Sequence, residues 1–321
     1  MILLVAFVAG ASSSWAWELM NRNGIEYVSL ADVRSFYGLS SESREGNAYV
    51  YRSKSVQMKL RPRSQDVYLN NVKFILSYPI AEDVSKGLLI SQTDITKLVD
   101  PILRPRYIQN AHAVDTVVID PGHGGHDAGT RNRISMEKDL TLQVARRLKD
   151  NLAKKGFKVV MTRDSDVYLT LQERVNIANK YKNAVFVCIH FNDGGPAANG
   201  IETFTLAPAG TSSTMSRNIN PNMLQGNAQD SSNIALATAI QGQLIRGPLS
   251  ASAGMQPFDR GIKRARFSVL CTIKHPAVLV ECGFLSNQKE ALLAKSDSYQ
   301  NFLVQSISMG IEKYRRSIRR R

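Results

Sequence analysis

The stretch Val117-Val118-Ile119-Asp120-Pro121-Gly122-His123-Gly124-Gly125-His126-Asp127-Ala128-Gly129 restricts this chain more than any other. A β-branched run packs well on a pleated, buried surface, so residues 117–119 predict a strand. The glycines that follow let the backbone turn sharply and come close to a ligand. The two histidines therefore fall at the carboxyl end of a strand, where open α/β sheets place their sites. Such a turn suits phosphate as readily as metal until distant partners are found.

From Val114 onwards strand-like and helix-like segments alternate. This is the pattern of an α/β unit whose mixed, mostly parallel sheet is flanked by helices. Residues 136–155 carry Leu140, Val144, Leu148 and Leu152 along one helical stripe that stops at Gly156. Residues 157–161 predict the next strand. Thr170-Leu171-Gln172-Glu173 is a capping box opening a helix that runs to about Tyr181. Residues 184–191, 200–206 and 277–283 predict further strands, residues 232–245 a helix, and two helices close the chain. Residues 207–230 are rich in Ser, Asn, Gly and Pro and predict a loop at the edge of a cleft.

Three strand ends now present a polar group: His123, His190 and Glu281. Burying such groups unpaired costs several kcal/mol, so a shared partner is expected. Glu137 opens the helix reached from the glycine turn, a position where the helix dipole alone favours an acid. His123, Glu137 and His190 together form a two-histidine, one-carboxylate set suited to zinc, with a fourth tetrahedral position left for water. A metal there lowers the pKa of the water and polarises a carbonyl oxygen. Glu281 is then the free carboxylate that carries the proton to a leaving nitrogen.

Composition narrows the partners. The net charge of +14, from 41 Lys and Arg against 27 acids, favours a polyanion. The basic residues are scattered with few aromatics among them, which argues against nucleic acid. The dense cluster is the C-terminal segment from Lys313, whose basic tail (317–321) is a candidate contact for envelope polyanions. Residues 1–16 predict a signal peptide, with an apolar run over 2–11 and a cleavage site at Ser14-Trp15-Ala16, although no Lys or Arg precedes the run. That run is too short for a stable transmembrane segment. Export to the periplasm or cell envelope is expected. Cys188, Cys271 and Cys282 make an odd set that excludes a disulfide framework.

Five blocks occur in order: 120–129, Glu137-Lys138-Asp139-Leu140-Thr141-Leu142, Ile189-His190-Phe191-Asn192, Asp259-Arg260-Gly261-Ile262-Lys263, and Val280-Glu281-Cys282-Gly283-Phe284-Leu285-Ser286-Asn287. In these the chain resembles the zinc-dependent N-acetylmuramoyl-L-alanine amidases of the amidase-3 type, over about residues 115–316. The resemblance implies zinc held by His123, Glu137 and His190, with Glu281 as catalytic acid/base. It implies peptidoglycan as substrate, cut at the amide between N-acetylmuramic acid and L-alanine of the stem peptide. Asn192, Asp259, Arg260 and Lys263 are candidate substrate-binding residues, and surface salt bridging is the equal alternative for the last three. His126 is expected near the metal loop but not as a ligand. Cys188 shares a strand face with His190, and a buried core thiol is expected there. A zinc peptidase with a similar ligand set and a non-hydrolytic wall-binding protein are the rival functions. Residues 207–230 lack the apolar stripe of the inhibitory helix that some relatives insert there, so no activator is expected to be needed.

Residues 22–103 form a unit of their own, a small α+β, β-rich domain. Residues 25–38 predict a strand turning into a helix capped by Ser29, and a similar phrase returns over 88–99. Between them, 48–51, 55–60 and 66–69 predict hairpin strands. The segment resembles the stalk domain, related to an amine-oxidase N-terminal domain, of exported wall enzymes. Residues 104–114 are expected to link it to the catalytic domain.

Overall fold

The computed structural model describes residues 17–108, 111–214, 225–252 and 256–319, so the expected signal peptide and part of the 207–230 loop lie outside the described residues. The chain opens with β1 (Met20–Arg22) and β2 (Ile25–Ser29), followed by a helix over Leu30–Tyr37. Ser29 caps that helix, its side chain accepting from the Asp32 amide, and Ser91 repeats the device for Asp94. Next come β3 (Ser41–Glu45), β4 (Ala48–Arg52), β5 (Gln57–Leu60), β6 (Asp66–Leu69) and β7 (Val72–Ile75). They pair as an antiparallel meander. β8 (Ala81–Asp83) and β9 (Gly87–Ser91) join β1 and β2 in a separate four-stranded sheet.

The second half supplies β10 (Thr116–Pro121), β11 (Lys158–Met161), β12 (Ala184–Asn192), β13 (Ile201–Leu206), β14 (Asp259–Ala265) and β15 (Ala277–Phe284). Their order is β11-β10-β12-β15-β13-β14, parallel throughout except where β13 meets β15. This is the mixed, mostly parallel sheet the alternation predicts. Both faces are covered, which is why β10 and β12 are apolar almost without interruption. On one face Val117, Val187 and Val280 pack with Leu140, Val144, Leu148, Ile240 and Leu303 from the helices Glu137–Lys154, Asp230–Arg246 and Asp297–Arg319. On the other, Val118, Phe186 and Phe204 pack with Val175 and Leu270. The Thr170–Glu173 capping box forms as expected.

The N-terminal unit does not stand apart. β7 pairs in parallel with β14 at Phe74 and Ile262, so the meander continues the second sheet into one of eleven strands. A single apolar cluster runs across the junction and includes Phe74, Leu98, Val99, Ile240, Leu244 and Ile262. Arg264 donates to Asp94 at 2.8 Å with both side chains buried, and Lys97 meets Asp230 at 3.2 Å. Where a linker is expected, Pro105–Tyr107 makes a 3-10 turn and Ile108 and Val114 are buried. The strand β14 is hard to see in sequence, because Arg260, Lys263 and Arg264 break the apolar alternation that marks a strand. All three cysteines are free thiols. Among the described residues no helix is long and apolar enough to cross a membrane.

Candidate metal centre and active site

The glycine turn is held from below before it carries anything. Asp120, 1% exposed at the end of β10, accepts from Thr162 Oγ1 at 2.5 Å, Arg174 Nη1 at 2.9 Å and Cys188 Sγ at 3.1 Å. Arg174 also donates to the carbonyls of Pro121 and His123, both at 2.7 Å. Cys188 is thereby a donor within the core, and burial together with the Asp120 charge pushes its thiol pKa well up. A thiol held protonated in this way is a poor metal ligand, as expected for a core cysteine.

On that base His123 sits in the left-handed region at φ +59°, where a non-glycine residue stores strain that recurs at functional sites. Its Nδ1 meets Asp127 Oδ2 at 2.9 Å, which orients the ring and leaves Nε2 pointing to Glu137 Oε1 at 3.1 Å. Glu137, only 2% exposed, also meets His190 Nδ1 at 2.8 Å and accepts from the Phe191 amide at 3.0 Å, both through Oε1. Its Oε2 accepts from the Thr130 amide at 2.8 Å. One ligand atom from each of His123, Glu137 and His190 lies within 4.8 Å of the others. Burial alone would raise the Glu137 pKa, but the hydrogen bonds from His123 and His190 override it and hold the carboxyl well below its usual range. A buried carboxylate kept ionised between two imidazoles is the donor chemistry zinc takes.

Gly129 makes this closeness possible. A Cβ on it would lie 2.5 Å from Glu137 Oε2 and 2.6 Å from the His123 ring, at a φ of +63°. Gly129→Ala is therefore expected to weaken metal binding at this group by roughly 10–100-fold, the usual cost of displacing what orients a ligand. Competition with a chromogenic chelator measures this, and unchanged affinity would refute the role.

The sheet register adds the next group. His190 on β12 pairs with Glu281 on β15, and Glu281 pairs with Glu202 on β13. Paired residues on neighbouring strands share a face, so the three form a row leading away from the candidate metal group. Glu281 is half-buried, and its Oε2 has no hydrogen-bond partner among the described residues. Burial, then the charges of Glu137 and Glu202, push its pKa well above the carboxylate range, with Lys263 pulling the other way. Glu202, 1% exposed, accepts from Asn192 Nδ2 at 2.8 Å, Arg260 Nε at 2.8 Å and Lys263 Nζ at 2.6 Å.

Three of the four substrate-binding candidates, Asn192, Arg260 and Lys263, thus meet on Glu202, a residue whose role the sequence left open. Asp259 is engaged elsewhere. It accepts from the amides of Lys73 at 3.0 Å and Gly261 at 2.9 Å and from Gln241 Nε2 at 2.8 Å. His126 lies outside the ligand group and packs on Tyr168, ring centroids 4.1 Å apart. Cys282 is buried with its thiol directed to the Val280 carbonyl. A cavity of about 220 Å³ opens beside His123 and His190, bounded on its outer side by Tyr168, Leu169 and Leu171. Asp127 is the residue that sequence reasoning passed over, although it has a local signal, four residues from a candidate ligand; Glu202 reads from sequence as lying on a strand near the site, with no role assigned.

A family model described as N-acetylmuramoyl-L-alanine amidase matches residues 117–313. The chain is 34% identical over 199 residues to the protein YqiI of Bacillus subtilis (strain 168), covering 62% of this chain and 84% of that one. It is 31% identical over 212 residues to the N-acetylmuramoyl-L-alanine amidase LytC of the same organism, covering 65% of this chain but only 37% of LytC. Among solved structures, that of N-acetylmuramoyl-L-alanine amidase from Clostridium difficile 630 superposes with a TM-score of 0.51 at 33% identity. The match covers 63% of this chain and 97% of that one.

Proposed function

The chain belongs to the N-acetylmuramoyl-L-alanine amidase family, and from this we propose that it is an exported zinc hydrolase of peptidoglycan. The bond it cuts is the amide between the lactyl group of N-acetylmuramic acid and L-alanine of the stem peptide. The observation that carries the reading is the joining of two things in one site. His123, Glu137 and His190 converge, and the next strand offers Glu281 with a carboxylate oxygen that has no partner among the described residues. When bound by the three side chains, zinc supplies a Lewis acid that polarises the amide carbonyl and lowers the pKa of water.

The rest is done by the chain itself. Asp127 fixes the His123 ring, so the imidazole presents Nε2 to the site. Glu281 accepts a proton from the attacking water and returns it to the departing alanine nitrogen. Burial and like charges raise the pKa of this carboxyl, so it holds a proton more readily than an exposed one, which suits a group that takes a proton and returns it. The exposed Tyr168 and Leu171 beside the ligand loop offer apolar surface to a glycan or peptide. Export is proposed from the apolar run and small residues of the first sixteen positions, and amino-terminal sequencing of the secreted protein tests it. The basic face of the last helix, with Lys313, Arg316 and Arg319, supports attraction to an anionic wall.

The deciding experiment combines metal analysis with mass spectrometry of muropeptides digested by the same sample. Zinc, and free stem peptides beginning with L-alanine, are expected. Cuts only between amino acids would replace the amidase reading with a peptidase. His190→Ala is expected to lower zinc content and abolish turnover; a variant that still held full zinc would remove His190 from the ligand set. A chelator is expected to stop the reaction, and added zinc to restore it.

A further inference from the structure

The pairing of β13 with β14 is not regular. Ile201 pairs with Asp259 and Glu202 with Gly261, so Arg260 is an extra residue in the ladder. A bulge of this kind re-aims a side chain, and bulges concentrate beside functional sites. Here it brings Arg260 to the face that carries His190, Glu281 and Glu202, where Arg260 Nε reaches Glu202 Oε2. Lys263 reaches the same oxygen at 2.6 Å.

The bulge is a built feature. Gly261 sits at φ +90°, and a Cβ there would meet Lys73 Cγ at 2.9 Å. Asp259 clamps the turn, one oxygen accepting from Gly261 N and Gln241 Nε2 and the other from the backbone amide of Lys73 on β7. The N-terminal meander therefore sets where Arg260 stands. The guanidinium also lies over the Phe284 ring at 4.6 Å, which fixes its plane.

Two cations share the buried carboxylate of Glu202, and the fields of Lys263 and Arg260 also reach Glu281 and Glu290. Of the guanidinium donors, Nε is engaged by Glu202 and Nη1 makes only a 3.4 Å contact to the Asn199 carbonyl. Arg260 is about one-third exposed, so part of its guanidinium faces solvent. A planar guanidinium with free edge donors matches a carboxylate.

We propose that Arg260 and Lys263, braced by Glu202 and aimed by the bulge, form a subsite for a carboxylate of the substrate's peptide. This rests on the amidase reading and makes the enzyme selective for stems whose carboxylates are free. The test uses the full chain with its zinc and two soluble N-acetylmuramoyl-tripeptides. One has free stem carboxylates; in the other each is converted to the primary amide. Wild type is expected to prefer the free acid by about 10-fold or more in kcat/KM, the effect of one charge-assisted hydrogen bond. Arg260→Gln is expected to lose that preference through a higher KM for the free acid, and Arg260→Lys to restore part of it. Thermal melts of both variants check that the fold is kept.

No preference in wild type, or one that Arg260→Gln retains, would overturn the subsite while leaving the amidase reading intact. If wild type releases no L-alanine-ended peptide from either substrate, the amidase reading fails and the subsite falls with it. Should Arg260→Gln unfold, Lys263→Gln gives the same comparison, and a retained preference there overturns the proposal equally.

Discussion

Glu281→Gln is expected to lose roughly 10²–10⁴-fold in turnover, the range for removing a positioned acid/base, while keeping its fold and its zinc. The substitution preserves shape and removes only the ability to carry a proton. No internal hydrogen bond to Oε2 is lost, because that atom has no partner among the described residues. A thermal melt checks that the fold is kept. Rates on purified muropeptides together with metal analysis decide the matter. A near-wild-type rate would mean another group moves the proton. A slow variant that had also lost zinc would place Glu281 among the ligands instead.

Asp94→Ala is expected to destabilise the whole protein by about 3–5 kcal/mol, the cost of leaving a buried charge without its partner. Asp94 is fully buried and accepts from Arg264 Nη2, Ser91 Oγ and the amides of Ser77 and Tyr78. Among the described residues the Nε and Nη1 atoms of Arg264 have no partner, so losing Asp94 removes the ion pair of this guanidinium. Asp94 lies in the N-terminal unit and Arg264 on β14, and their apolar core is shared. Unfolding by denaturant should therefore stay a single transition with a lower midpoint, seen alike by tertiary signal and by loss of amidase activity. If the N-terminal unit melted first while the catalytic half kept its midpoint, the joint core would not be coupling them.

The same junction shows where sequence reasoning stops. The helix over Glu137–Lys154 was legible from its apolar stripe, and β10 and β12 from their unbroken β-branched and apolar runs, because both signals are local. The caps at Ser29 and Thr170 were legible for the same reason. Strand β14 reads from sequence as a motif but not as a strand, since its charged residues are satisfied by groups far along the chain: Glu202, Asp94 and Lys73. A separate stalk and linker are expected from the repeated strand–helix phrases, the resemblance to a stalk domain, and Pro105 with its polar neighbours. The pairing of Phe74 with Ile262 crosses that boundary without any local mark.

For this protein, then, the sequence alone determined the α/β class, the strand ends and the candidate residues His123, Glu137, His190 and Glu281. Periodicity and the cost of burying polar groups act within a few residues and leave a local trace. Only the tertiary structure decided which strands are neighbours. That pairing put Glu281 beside His190 and Glu202 beside Glu281, and it turned Arg260 onto their face through a bulge clamped by Lys73. Register between distant strands is a property of the closed sheet, and no stretch of the chain carries it by itself.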